Sequence, residues 1–364
     1  MRRVPYLDLV FGTHNIHKLP QMVREVQLAG NRPVEIAFYR EPSYLEEPEG
    51  RPRVEGAKAY VTIMQGCNKV CSFCIVPYVR GREISRSSEN ILSEVEHLAR
   101  HGVKEVMLLG QNVNSYGKKS PGELTFPQLL NKINDIEGLE RIRFTTSHPQ
   151  DLSPELIEAY AKLEKLCEHL HLPVQSGSDT VLQRMRRGYT RGEYVGRIQR
   201  LRDQSPDVAL STDIIVGFSG ETEEEFEQTL EILREVEYGE IFAFTYSLRS
   251  QTAAAKMYPD DVPHEVRKDR LQRVLRLQTE ISLRKNKQKI GHVEEVLIEG
   301  PSKLRKGQIM GRVRNNRIVN LMGPDQLSGE MVQVRITGAS ANSLLGELVR
   351  GDGVSMTHET RGIA

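Results

Sequence analysis

Between residues 59 and 246, strand-like and amphipathic helix-like segments alternate in six successive units. No other feature of the 364-residue chain restricts its fold as much. The strand segments are 60–64, 105–109, 141–145, 169–174, 210–216 and 241–246, and the helical ones are 88–101, 126–136, 154–163, 191–204 and 223–236. Strands separated by helical crossovers pair in parallel, which predicts an α/β fold, either a doubly wound sheet or a barrel, whole or partial. Parallel α/β sheets carry their sites at the carboxyl ends of the strands. Polar and glycine-rich runs occupy these positions: LLGQNVNSYG, TTSHP, LPVQSGSD, DIIVGFSGE and YSLRSQT follow strands two to six. Singly each is ordinary turn chemistry; together on one rim they predict a pocket for a polar cofactor. Gln111, Asn112, Ser147, Gln175, Ser176 and Asp213 are its candidate residues, and Gly217 would allow close backbone approach. Neither a GxGxxG nor a P-loop pattern is present, so a dinucleotide or ATP site has no support.

The first strand runs directly into GCNKVCSFC, which holds Cys67, Cys71 and Cys74 with spacing C-x3-C-x2-C. Thiolates this close can wrap one metal centre. Iron–sulfur clusters usually take four thiolates, so three leave one iron open to an outside ligand. A structural zinc site would need a fourth ligand, usually from a second separated pair. Cys167 is nearly a hundred residues away, and His97 and His101 lie on a predicted helix. A disulfide framework does not suit so long a chain with four cysteines. Cys167 reads as a small buried thiol where a helix meets a strand.

Apolar residues make up 38% and charged residues 27%, with net charge +1. No apolar run approaches the ~20 residues that span a bilayer, and MRRVPYLDLVFG lacks a signal-peptide core. A cytoplasmic protein without membrane association is expected. Charge is uneven, however. From Lys285 to Arg317 there are nine basic residues (Lys285, Lys287, Lys289, Lys303, Arg305, Lys306, Arg312, Arg314 and Arg317) against Glu294, Glu295 and Glu299. Such a segment is either a solvated face or a phosphate-facing surface.

Residues 264–290 read as a long charged helix with an apolar stripe of Leu271, Val274, Leu275 and Ile281. Beyond Gly291, short alternating segments at 293–300, 308–321, 329–340 and 345–349 predict a small antiparallel β-barrel, a type that often binds single-stranded nucleic acid. No Phe, Tyr or Trp lies between Gly291 and Val349, so phosphate contact is expected rather than base stacking.

C-x3-C-x2-C with Phe73 before its last cysteine resembles the signature of the radical S-adenosylmethionine superfamily. That resemblance implies a partial (βα)6 barrel, a 4Fe-4S cluster held by Cys67, Cys71 and Cys74, and S-adenosylmethionine on the open iron. Reduction would cleave the cofactor to a radical that abstracts hydrogen from an unactivated carbon. GCNKVCSFCIVPYVRGREISRS, RFTTSHP, HLHLPVQSGSDTVLQRMRRGYT and STDIIVGFSGET are similar to the radical methylthiotransferase family, and within it to the tRNA-modifying branch. The terminal barrel resembles the family's TRAM domain. The resemblance implies a methylthio group added to isopentenyl-modified adenosine next to the anticodon. The partners would be a tRNA anticodon loop and an electron donor for the cluster. Lys285, Lys287, Lys303, Arg305, Lys306, Arg312, Arg314 and Arg317 would contact RNA, while Arg80 and Arg82 would pair with the cofactor carboxylate or RNA phosphate, or lie free on the surface. Threonylcarbamoyl-adenosine tRNA or a ribosomal protein is the alternative substrate, and an RNA-binding chain without sulfur insertion the alternative class. Ser219 and the segment LRSQTAAAKM depart from the family pattern.

The implied partition is 1–40 as the tail of the family's N-terminal domain and 41–58 as a linker, followed by the radical core at 59–285, the TRAM-like barrel at 286–350 and a tail at 351–364. Family members carry three further cysteines in that first domain for an auxiliary 4Fe-4S cluster. Those ligands are absent from these 364 residues, so a truncated sequence is expected, and full activity would need them.

Overall fold

The computed structural model describes residues 4–37, 56–302, 305 and 307–349. It divides into two compact units at Ile281/Ser282. In the first, six parallel strands follow one another in chain order. They are β1 (Lys58–Thr62), β2 (Glu105–Leu109), β3 (Arg141–Phe144), β4 (His169–His171), β5 (Ala209–Val216) and β6 (Glu240–Thr245). β1, β2 and β3 form one three-stranded ladder and β4, β5 and β6 another. Leu166 joins them by bridging in parallel to Ile142, with Cys167 N donating to Ile142 O at 3.0 Å. The architecture is the six-unit parallel α/β sheet expected from the alternation.

Between the strands run α1 (Ser88–Arg100), α2 (Phe126–Asn134), α3 (Pro154–Lys162), α4 (Arg191–Gln204) and α5 (Glu223–Val236). Their starts are written in the sequence. Ser87 and Ser153 accept from the first-turn amides of α1 and α3. Thr190 with Glu193, and Thr222 with Glu225, form capping boxes on α4 and α5. Glu223, Glu224 and Glu225 fill the first turn of α5, where the helix dipole favours carboxylates.

Alternation along each strand separates two environments. Val61, Val106, Leu108, Ile142, Phe144, Leu170, Leu210 and Ile214 enter one continuous apolar core with the helices. The opposite face mixes charged side chains with exposed Tyr60, Phe242 and Phe244. There Glu105 accepts from Arg143 Nε at 2.8 Å with both side chains 1% exposed, and Lys58 Nζ lies 3.6 Å from Glu105. β4 is shorter than the predicted 169–174. Leu172 N still donates to Ser211 O at 2.8 Å, but Val174 N turns to the Thr212 hydroxyl at 2.9 Å and Gln175 adopts φ 77°.

α6 (His264–Lys287) is the predicted long helix. Val274 and Ile281 are buried and Leu271 packs on the core, but Leu275 is 39% exposed. The stripe is instead completed by polar side chains: Arg267, Arg270 and Gln278 are buried on it. Arg270 Nη1 pairs with Glu221 Oε2 at 2.9 Å, and Gln278 Nε2 donates to Tyr238 O at 2.9 Å.

The second unit contains a closed five-stranded barrel of β7 (Val293–Pro301), β8 (Gln308–Val313), β9 (Ile318–Met322), β10 (Met331–Ala339) and β11 (Leu344–Leu348), in the order β7-β8-β9-β11-β10. The expectation of a purely antiparallel barrel needs one correction, because β9 pairs with β11 in parallel. Val296, Ile298, Ile309, Val313, Val319, Leu321, Val334, Ile336 and Leu344 fill its interior. Gly311 lets the wall close: a Cβ there would lie 2.3 Å from Leu297 O.

Candidate active site

The cysteine loop begins just beyond β1, where Met64–Gln65 pairs with Ile84–Ser85 and returns the chain towards α1. Gly66 makes the turn at φ 78°, and a Cβ on it would lie 2.0 Å from Arg82 O. Its amide donates to Gln111 Oε1 at 2.6 Å, so the end of β2 holds the loop entry. Lys69 reaches Asp151 Oδ2 at 2.8 Å and Gln150 Oε1 at 3.3 Å beyond β3. Ser72 N donates to Met185 O at 2.9 Å, Ser72 Oγ donates to Arg184 O at 2.7 Å, and Ala254 N donates to Ser72 O at 2.8 Å. Strand ends from across the sheet thus shape one nine-residue stretch.

Cys67, Cys71 and Cys74 are all half-buried and free of disulfides, whereas Cys167 is buried away in the core. Burial pushes the Cys67 thiol up to about 11, against a hydrogen bond from the Lys69 amide, and Cys71 and Cys74 add to the rise. Burial likewise raises Cys74, with Cys71 contributing. A partly dry loop in which neighbouring thiolates would repel one another is a poor resting place for anions and a good one for a cation, which would take the thiols as thiolates. Among the described residues no three His, Cys, Asp or Glu side chains are set to share a single metal ion.

The neighbouring strand ends carry buried polar atoms without hydrogen-bond partners: Asn112 Oδ1, Ser147 Oγ and His148 Nε2. Such atoms are costly unless a ligand or water completes them. Asn112 Nδ2 donates to Asp151 Oδ2 at 2.8 Å. Burial alone would raise the Asp151 carboxyl, but hydrogen bonds from Asn112, Lys69 and Lys118 outweigh it and hold it at about 2. His148 is pushed down to about 2 by burial and by the charges of Arg187 and Lys69, so it is neutral at physiological pH.

The other predicted cofactor residues divide. Ser176 is fully buried and its hydroxyl lies 3.3 Å from Thr229 Oγ1 on α5, which is turn chemistry. Gln175 is buried and bridges to Ile214 through its backbone. Asp213 lies within the mixed face of β5, 3.4 Å from His171 Nε2. Gly217 N donates to Glu221 Oε2 at 2.6 Å, and the space a Cβ would need is filled by the Arg267 side chain 2.3 Å away. The close approach at Gly217 is therefore made by α6. A cavity of about 480 Å³ opens beside the cysteine loop, lined by Phe73, Ile75, Ile215, Phe244, Tyr246 and Arg249 among others. None of the seven predicted cofactor residues lines it. The sequence did signal part of it, through Phe73 inside the cysteine motif and the YSLRSQT run, which supplies Tyr246, Ser247 and Arg249.

Of the predicted RNA contacts, Lys303 and Lys306 lie outside the described residues. Lys287, near the end of α6, and Arg305, between β7 and β8, are exposed. Arg312, Arg314 and Arg317 gather around the β8–β9 hairpin, where Arg312 Nε pairs with Glu299 Oε1 at 3.1 Å. Lys285 is half-buried on α6. Arg80 and Arg82 are exposed beyond the cysteine loop.

A parallel six-unit α/β sheet with three cysteines looped out from the end of its first strand defines a radical S-adenosylmethionine protein. The Radical SAM superfamily model matches residues 61–233, and the TRAM domain model matches 287–349. The chain is 51% identical over 350 residues to the tRNA-2-methylthio-N(6)-dimethylallyladenosine synthase of Syntrophotalea carbinolica, covering 96% of this chain and 80% of that protein. The synthase so named from Geotalea uraniireducens is 52% identical (96% and 79% covered), and that from Caldicellulosiruptor saccharolyticus 50% (95% and 72%). The chain belongs to the tRNA-2-methylthio-N(6)-dimethylallyladenosine synthase family.

Proposed function

We propose that this chain is the tRNA methylthiotransferase its relatives are named for, acting on N(6)-dimethylallyladenosine in tRNA, with Cys67, Cys71 and Cys74 as ligands of its radical 4Fe-4S cluster. The observation that carries this reading is the cysteine loop beside unpartnered polar atoms on the next two strand ends. When bound, the cluster and S-adenosylmethionine supply the one-electron cleavage that yields a hydrogen-abstracting radical. The chain's residues build the setting. Gln111, Lys69 and Asp151 fix the loop, while Asn112 and Ser147 offer polar atoms to the cofactor. The cavity by Phe73, Ile75 and Tyr246 takes its less polar part, since 480 Å³ is within the usual range for small-molecule sites.

The modified adenosine enters over the mixed face, where Asp213, His171 and Ser211 stand. Bases in unpaired tRNA loops can be splayed into such a site. Lys287 and Arg305 hold phosphate. The sequence holds one cysteine besides the triad, so an auxiliary cluster would need ligands that these residues do not supply. An external one-electron donor is required, and no helix among the described residues is long and apolar enough to cross a membrane.

The test is anaerobic reconstitution with iron and sulfide, followed by reductant, S-adenosylmethionine and tRNA carrying N(6)-dimethylallyladenosine. Deoxyadenosine and the 2-methylthio nucleoside, detected by mass spectrometry, are expected. No deoxyadenosine above background would sink the radical reading. Deoxyadenosine without the methylthio product would leave radical chemistry standing and remove sulfur transfer by this chain.

A further inference from the structure

Arg187 is buried, yet no carboxylate pairs with it among the described residues. It stands in a tight turn after the short helix Asp179–Arg184, between Arg186 at φ 56° and Gly188 at φ 69°. Three contacts fix its guanidinium: Nη2 donates to Pro173 O at 2.7 Å, Nε donates to Tyr189 Oη at 2.9 Å, and Nη1 donates to Cys71 Sγ at 3.3 Å. The Tyr189 hydroxyl lies within hydrogen-bond reach of Pro173 O and Val174 O, which locks the group from behind. The turn itself is clamped, because Gln150 Nε2 donates to Gly188 O at 2.6 Å.

An enclosed guanidinium without a counter-ion is expensive. Only one of its three partners can become an anion at ordinary pH, and that is Cys71 once it is a metal-bound thiolate. The charge is thus aimed through a rigid frame at one cluster ligand. Hydrogen bonds to ligand sulfurs and local net charge are principal determinants of iron–sulfur potentials.

We propose that Arg187 is a positioning residue that raises the reduction potential of the cluster by placing its positive charge on Cys71 Sγ, at 3.3 Å through Nη1. The added electron is then taken up next to a fixed cation, which eases the one-electron reduction on which cofactor cleavage depends. The assignment rests on Cys67, Cys71 and Cys74 being the cluster ligands.

The test compares full-length reconstituted wild type with Arg187→Gln, Arg187→Lys and Arg186→Gln. Each is titrated with dithionite and followed by paramagnetic resonance and visible absorption, with iron content and thermal midpoint measured alongside. Arg186 is exposed, so Arg186→Gln removes the same net charge without touching Cys71. Arg187→Gln should lower the reduced-to-oxidised ratio at fixed poise about tenfold, ~59 mV for one electron. Arg187→Lys should lower it by less, about threefold, since it keeps charge but loses the fork. Arg186→Gln should match wild type. Should Arg187→Gln fail to fold, Arg187→Lys decides alone, and a wild-type potential there overturns the proposal. Folded, iron-replete Arg187→Gln with an unchanged potential overturns it, as does an equal shift in Arg186→Gln. A wild type without iron–sulfur absorption would sink the cluster reading and this role together, whereas an unchanged potential sinks the role of Arg187 alone.

Discussion

At the scale of single residues, the cysteine loop is held by contacts that its own sequence does not advertise. Gly66 is the sharpest case. Gly66→Ala must place a methyl group on Arg82 O and keep a left-handed φ. We expect a loss on the order of 1–3 kcal/mol in denaturant unfolding, with a parallel fall in iron content after reconstitution. Asp151 makes a pH prediction. Its carboxyl is held at about 2, below the ~3.9 of an unfolded chain, so its contribution is present above pH 4 and fades as pH falls towards 2. Wild type should therefore lose thermal stability between pH 4 and 2 more steeply than Asp151→Asn; parallel slopes would count against the anchoring role. The cysteine spacing was legible in the sequence because all three cysteines lie in one stretch. Arg187 was not, since its link to Cys71 depends on a turn more than a hundred positions away.

At the scale of elements, strand–helix alternation located six strands and five crossover helices because period and capping agree with burial. The discrepancies have local causes. β4 ends early where Thr212 captures an amide meant for the ladder. The stripe of α6 continues through Arg267, Arg270 and Gln278, so an apolar count misplaces Leu275. These polar side chains are buried because each finds a partner, which sequence periodicity cannot register. Arg270 and Glu221, 5% and 1% exposed, form such a pair. Arg270→Ala should destabilise by about 3–5 kcal/mol in urea unfolding by stranding Glu221. Replacing both, Arg270→Met with Glu221→Gln, should recover part of that loss.

At the scale of the whole molecule, a net charge of +1 hides a division of labour. The barrel unit holds 13 of the 50 Lys and Arg against 8 of the 49 Asp and Glu, so it is net basic and the first unit net acidic, although some of its cations are already neutralised: Arg312 by Glu299, and Lys289 by Glu294 at 2.9 Å. On the proposed reading, exposed Lys287 and Arg305 would be the better phosphate contacts. Lys287→Gln or Arg305→Gln should weaken tRNA binding and reduce the slope of log affinity against log salt by up to about one each. Arg312→Gln should change the slope less. Equal effects from all three would overturn this ranking.

The ties on Ser72 set an order of maturation. Its hydroxyl and carbonyl need Arg184 O and Ala254 N, so a nascent chain cannot shape the loop until translation has passed residue 254. Seating of the proposed centre then follows the folding of the stretch from Ser72 to Ala254 rather than preceding it.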